Sequence, residues 1–186
     1  ALHTLGIPIL EVQGYEADDV IGTVVKKADQ AGIHAYIVTG DRDSLQLITD
    51  TTNVLLTRKG VSETELYDRS HLTEVYGLEP KQIIDLKGLM GDASDNIPGI
   101  KGVGEKTALK LLAEFGSISN LYDNLDGLPN NKMKEKIVAG QESAFLSLKL
   151  ATIVTDVPIS FHLAALVFTG LENSDLYTDL STLEFS

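Results

Sequence analysis

No cysteine occurs among the 186 residues, which excludes disulfides and thiolate metal sites and fits a reducing compartment. No apolar run approaches the roughly 18 residues of a membrane span. The opening "ALHTLGIPIL" has neither the basic region nor the small-residue cleavage site of a signal peptide, so a soluble chain with no membrane partner is expected. The four histidines, His3, His34, His71 and His162, are scattered and match no ligand spacing. Internal repeats and low-complexity tracts are absent as well.

Basic charge is scarce: 15 Lys and Arg stand against 27 Asp and Glu, a net charge of -12. At first sight this argues against a nucleic-acid partner, because affinity for DNA comes largely from cations on phosphates. The placement of the acids changes that reading. Seven lie in three tight groups, Glu16/Asp18/Asp19, Asp41/Asp43 and Asp92/Asp95, and five more follow Lys149, beyond which no Lys or Arg remains. The rest of the chain is balanced, so acidity alone excludes no partner.

The length and the 43% hydrophobic content suit one domain, or one domain with a small appendage. "IPILEV" (7–12) and "AYIVTG" (35–40) read as short strands, and between them Ala17, Val20, Ile21, Val24, Val25 and Ala28 recur at helical spacing. That predicts a βαβ unit with parallel strands. A helical turn at 44–48, a strand at 53–57 and a hairpin edge in "GVSETELYD" continue it. From His71 the pattern is helical: Pro80 to about Met90, Glu105 to Phe115, a short helix capped by Ser117, one from Asn130 or Asn131 to Gly140, and one from Gln141 to Ile153. The expected division is an α/β core over 1–78, a helical region over 79–156 and a tail or linker over 157–186.

In open parallel sheets, ligands bind beyond the carboxyl ends of the strands. "GYEADDV" follows the first predicted strand and "TGDRD" the second, while Asp92 and Asp95 stand three apart at a predicted helix end. Acids in a helix's first turn are commonly caps or dipole partners, and "TGDRD" also reads as a turn with a helix cap, so that alternative stays open. Three such groups brought together repel one another unless a cation neutralises them, and oxygen-only surroundings suit Mg²⁺ or Mn²⁺. A divalent-metal site is therefore expected.

The stretch "GDASDNIPGIKGVGEK" (91–106) joins the third acidic group to a glycine-rich turn. Glycine lets backbone amides approach an anion, and the start of the following helix adds positive potential. Lys101, Lys106 and Lys110 supply charge. This is a helix-hairpin-helix pattern suited to holding a nucleic-acid backbone without reading sequence, although a bare "GxG" is more often an ordinary turn. The candidate DNA-binding residues are Gly99, Lys101, Gly102, Val103, Gly104, Lys106, Thr107 and Lys110.

"GYEADDVIGTVVKKA", "TGDRDSLQL", "YGLEPKQIIDLKGLMGDASDNIPGIKGVGEKTALKLL" and "LATIVTDVP" occur in that order. With them the sequence, from about residue 1 to 160, resembles the 5′ nuclease (5′-3′ exonuclease) domain of bacterial DNA polymerase I, in the flap endonuclease superfamily. The resemblance implies a PIN-like parallel-sheet α/β core followed by a helical helix-hairpin-helix region. It implies a structure-selective hydrolase of DNA replication and repair, in the bacterial cytoplasm, that removes 5′ flaps and RNA primers with two divalent ions, Mg²⁺ or Mn²⁺. Carried over, Glu16, Asp18, Asp19, Asp41, Asp43, Asp92 and Asp95 are metal-site carboxylates, with Asp18, Asp41 and Asp95 at the chemistry. The hairpin would also take K⁺ through backbone carbonyls.

The family domain begins with a further segment carrying an aspartate on its first strand, another acid on a later strand and a basic helical arch. The present sequence starts without Met just before "IPILEV", so a partial core lacking that segment and an incomplete two-metal site are expected. The expected partners are branched, flapped or nicked DNA, the N-terminal segment and a C-terminal polymerase region. The alternative is a catalytically incomplete module that holds duplex DNA through the hairpin. A metal phosphohydrolase for small substrates would leave the hairpin lysines unexplained.

Overall fold

The computed structural model describes residues 2, 4–58, 63–168 and 181–182. Helix α1, Ala17–Gln30, buries Val20, Val25 and Ala28, the apolar positions that recur at helical spacing. Strand β1, Ala35–Thr39, follows, then a 3₁₀ turn at Arg42–Leu47, strand β2 at Thr52–Thr57 and strand β3 at Thr64–Tyr67. β1 and β2 pair in parallel with Ile37 opposite Val54. β2 and β3 pair antiparallel with Leu55 opposite Leu66, giving the expected hairpin, whose tip at 59–62 lies outside the described residues.

One expected strand is not there. Residues 7–12 form no strand, and Ile7 and Ile9 are exposed. A strand exists by pairing with a neighbour, and among the described residues the sheet order is β1-β2-β3, with nothing on the outer edge of β1. The predicted βαβ unit is therefore replaced by a parallel pair whose crossover runs through the 3₁₀ turn. The sheet face bearing Tyr36, Val38 and Leu66 is left exposed.

The helical half follows the sequence closely. Helix α2 spans Arg69–Tyr76, with Asp68 Oδ1 accepting from the His71 amide at 2.7 Å. α3 spans Gln82–Met90, α4 Glu105–Phe115, α5 Ile118–Asp123, α6 Lys132–Ala139 and α7 Gln141–Ala151. α7 ends before Ile153 because Thr152 turns to extended backbone. Helix α3 is the central element, packed against α7, α4, α5 and the 3₁₀ turn. Leu45, Val54, Leu72, Leu89, Ile118, Leu121 and Ile137 belong to one core cluster that joins the sheet to the helices.

Past α7 the chain runs back along α1. Val157 is buried and its amide donates to Thr23 Oγ1 at 3.0 Å, while Lys27 Nζ sits 4.3 Å from the centre of the Phe161 ring. The predicted tail or linker thus begins with packed residues; most of 169–186 lies outside the described residues. Among the described residues no helix is long and apolar enough to cross a membrane.

Candidate metal and nucleic-acid site

The loop after β1 is shaped by its own acids. The Asp41 amide donates to Thr39 Oγ1 at 3.0 Å, and Asp41 Oδ1 accepts from the Asp43 amide at 2.9 Å, capping the 3₁₀ turn. At the start of α1 the Glu16 amide donates to Asp19 Oδ2 at 3.3 Å. The capping alternative is thus realised in both groups, and it coexists with the metal-site arrangement because a carboxylate has two oxygens with several lone pairs.

These groups converge. Glu16, Asp18, Asp19, Asp41, Asp43 and Asp95 line one cleft of about 280 Å³, walled on its apolar side by Ile97 and the 150–153 segment. Asp92 lies outside it, in an adjoining hollow that shares Asp41 and Asp95 with the cleft. The crowding is visible in the Asp18 carboxyl, pushed above its ordinary range by burial first and then by Asp41, Asp43, Glu16 and Asp19. Asp43 is raised too: burial outweighs the help of Lys87, and Asp41 and Asp95 add to the rise.

Lys87, on α3, is the site's built-in cation. Its ammonium lies 2.6 Å from Asp43 Oδ1 and also binds Asp92 Oδ2. Burial lowers its pKa, yet the bonds to Asp43 and Asp92 leave it raised overall. Lys87 and Ser94, both bonded to Asp92, hold that carboxyl well below the usual range. Asp92 is therefore committed to Lys87 and Ser94, whereas Asp18, Asp41 and Asp95 face the cleft.

The donor set suits a hard cation in chemistry: oxygen only and anionic, with the nearest ammonium already bound to two carboxylates. In geometry, no three His, Asp or Glu side chains among the described residues meet at one ligating point. Mg²⁺ fits such a cleft through one or two carboxylates, the rest of its shell being water. Among the carboxylates lining the cleft, Asp18, Asp41, Asp43 and Asp95 could hold ions in that manner.

The cleft's apolar wall was not anticipated. Gln46 Nε2 donates to the Ala151 carbonyl at 2.9 Å, and Gln46 Oε1 accepts from the Ile153 amide at 3.0 Å. Asp19 Oδ1 accepts from the Val154 amide at 2.8 Å. One amide side chain thus substitutes for a strand neighbour and fixes the segment that closes the cleft.

The acidic loop and the hairpin form one piece. Asp92 and Ile97 exchange amide–carbonyl bonds of 2.8 Å in both directions, closing the loop that carries Asp95, and the Ile100 amide donates to Leu89 O at 2.8 Å. The pair does not sit on a helix end as the spacing predicts: α3 stops at Met90, and of the two only Asp95 also lines the main cleft. Gly99 adopts φ +59, and a Cβ there would lie 2.6 Å from Gly91 Cα and collide with the backbone. Gly99 N donates to Ser147 Oγ at 2.9 Å and Gly99 O accepts from Ser143 Oγ at 2.6 Å, pinning the hairpin to α7.

Of the candidate DNA-binding residues, Gly99 and Val103 are buried and shape the hairpin from within, and Thr107 is half-buried. Lys101, Gly102, Gly104, Lys106 and Lys110 are exposed. Among the described residues the amides of Lys101, Gly102, Gly104, Glu105 and Lys106 donate to no protein acceptor. Free amides next to lysines, a short stretch of chain from the acidic loop, are groups able to bind an anion.

A small sheet with acids after the carboxyl end of β1 and at the start of α1, followed by helices around a hairpin, fits the PIN-like flap-nuclease class. The chain belongs to the 5′-3′ exonuclease family: residues 1–77 match the family's N-terminal resolvase-like domain and residues 78–174 its C-terminal SAM fold. DNA polymerase I of Bacillus subtilis is 46% identical over 176 residues, 95% of this chain and 20% of that protein. The chain thus spans about a fifth of the curated polymerase it matches. Among solved structures, the bacteriophage T5 5′-exonuclease with bound zinc matches with a TM-score of 0.71 and 27% identity, over 96% of this chain and 62% of that one. The T5 flap endonuclease in complex with DNA and metal ions matches with a TM-score of 0.69 and 26% identity, over 95% and 61%.

Proposed function

We propose that this chain is the metal-site and duplex-holding part of a structure-selective 5′ nuclease that hydrolyses phosphodiesters of 5′ flaps and primers. The observation that carries this reading is the fusion of two opposite surfaces, six carboxylates around one cleft and a hairpin of unpaired amides and lysines. Carboxylates attract cations and amides attract anions; a phosphodiester beside a metal ion satisfies both. The boundary falls near residues 78–79: the part before it supplies five of the cleft's six carboxylates, and the part after it supplies Asp95 and the grip. The metal-bound and DNA-bound T5 relatives support the same assignment.

Divalent ions, Mg²⁺ or Mn²⁺, supply nucleophile activation and charge stabilisation at the leaving oxygen when bound. Asp18, Asp41 and Asp95 would hold them, Lys87 holds Asp43 and Asp92 in place, and the 150–153 wall limits water. The hairpin amides and lysines would bind the duplex backbone, and the hairpin would also take K⁺ through backbone carbonyls. The natural substrates on this reading are branched, flapped or nicked DNA, and the parent protein adds an N-terminal segment and a polymerase region.

The test is cleavage of a 5′-labelled flap duplex in Mg²⁺. Cleavage is expected to stop on chelation and to fall at least tenfold in Asp95→Asn while binding persists, because the substitution removes an anionic ligand from ions that would activate the nucleophile and stabilise the leaving oxygen. Binding with no cleavage under any metal favours the second reading, a DNA-holding module. That reading has its own support, since no three described carboxylates meet at one point.

A further inference from the structure

We propose that Lys136 is a phosphate ligand of the hairpin, supplying from α6 a contact that completes the grip formed on the α4 side by Lys101, Lys106 and Lys110. The inference rests on the hairpin reading above and adds a residue that lies outside the hairpin motif.

Gly102 stands in the turn with φ +81, and a Cβ there would lie 2.7 Å from Lys136 Nζ. The ammonium therefore covers the bare turn, in the space that any other residue at 102 would fill. Packing explains why it is there. Ile100, buried in the hairpin, rests against Gly140, its Cγ2 only 2.6 Å from where a Cβ at 140 would stand. Lys136 is one helical turn before Gly140 and shares its face, so seating the end of α6 on Ile100 carries Lys136 over Gly102.

Among the described residues the ammonium has no acceptor. Lys136 is exposed, and among the described residues it has neither an ion pair nor a side-chain hydrogen bond. Its neighbour Lys134 is spent differently, donating to Leu128 O at 3.4 Å. The Lys136 ammonium thus lies against the turn whose Lys101 and Gly102 amides are unpaired, and none of the three has an acceptor among the described residues. Like-signed groups held together cost free energy unless an anion neutralises them. A phosphate oxygen of the duplex backbone is the acceptor that fits. The turn "KGVG" offers neither an aromatic ring nor a guanidinium fork, so the contact positions the backbone and reads no base.

Binding of a 5′-flapped duplex, followed by fluorescence anisotropy in EDTA across a salt series, tests this. Lys136→Ala should weaken binding and lower the salt slope by about 1, as Lys106→Ala should. Between about 50 and 200 mM salt, Lys136→Ala should lose roughly 3.5-fold less affinity than the parent protein. Lys136→Arg should restore affinity and slope, and Lys134→Ala should match the parent. If Lys106→Ala weakens binding while Lys136→Ala keeps the parent's affinity and slope, the Lys136 contact is wrong and the hairpin reading stands. If neither variant changes binding, the hairpin reading itself fails and this inference falls with it.

Discussion

Lys87 Nζ lies 2.6 Å from Asp43 Oδ1 and binds Asp92 on its other side, so one ammonium ties the turn after β1 to the loop after α3. Both ends of this bridge are largely buried. Removing the ammonium strands Asp43 among Asp41 and Asp95, and breaking a buried pair from one side costs about 3 kcal/mol. Lys87→Met should therefore lower the melting temperature at pH 7, and Mn²⁺ should raise it again by more than it raises the parent's, since the freed carboxylates take a cation instead. Melting curves with and without Mn²⁺ read both effects; equal metal responses in the two proteins would show that the lysine is only a scaffold.

Asp85 offers a pH test away from the cleft. Burial pushes its carboxyl above the ordinary range, although the Ile118 amide, donating to Asp85 Oδ1 at 2.9 Å, and Lys81 oppose the rise. A carboxyl raised in the folded state binds its proton more tightly there than in the unfolded chain. The contribution of this group is then fully present below the unfolded value of about 3.9 and is lost as pH rises through the folded value. Asp85→Asn keeps an acceptor for Ile118 without the buried charge, so it should melt higher than the parent at pH 7, and the advantage should vanish near pH 4. A uniform shift at both values would mean packing, not ionisation, sets the effect.

The seam between loop and hairpin makes a sharper demand. Gly99 carries φ +59 with the Gly91 backbone in the way of any Cβ, whereas Gly104 has no neighbour within 4 Å and an ordinary φ of -101. Gly99→Ala should cost about 3 kcal/mol or more, left-handed strain alone being worth roughly 1–3. Gly104→Ala should stay within about 0.5 kcal/mol. Urea unfolding of the pair decides it, and equal midpoints would remove the seam from any account of this fold.

The helices were legible because their signals are local. Periodic apolar residues and a flanking glycine set the ends of α4, and the Asn131 side chain caps α6 by accepting from Met133 and Lys134 amides. The run at 7–12 misled for the opposite reason: six apolar-rich residues say that a strand is possible, but only a neighbour makes one. The acidic groups were found through crowding of like charge, while their partners were missed. Lys87 sits in "IIDLKGLM" among residues that read as core, and a charge there was itself a signal. Gln46 carried none, because it acts on a segment 105 residues away in sequence.

The backbone contact between Gly91 and Gly99 has a consequence for how such a protein changes over generations. Two main chains pressed together have no side chain to vary, so the span from the hairpin to Asp95 depends on those glycines and on the few side chains, such as Ser143 and Ser147, that pin it. Exposed residues such as Lys106, Lys110 and Lys136 are free to drift, and on the proposed function such drift retunes how firmly DNA is held. On the same reading, where a strand would be cut stays constant under that drift. Affinity and cutting position would then be inherited separately, one written in replaceable side chains and the other in the main chain.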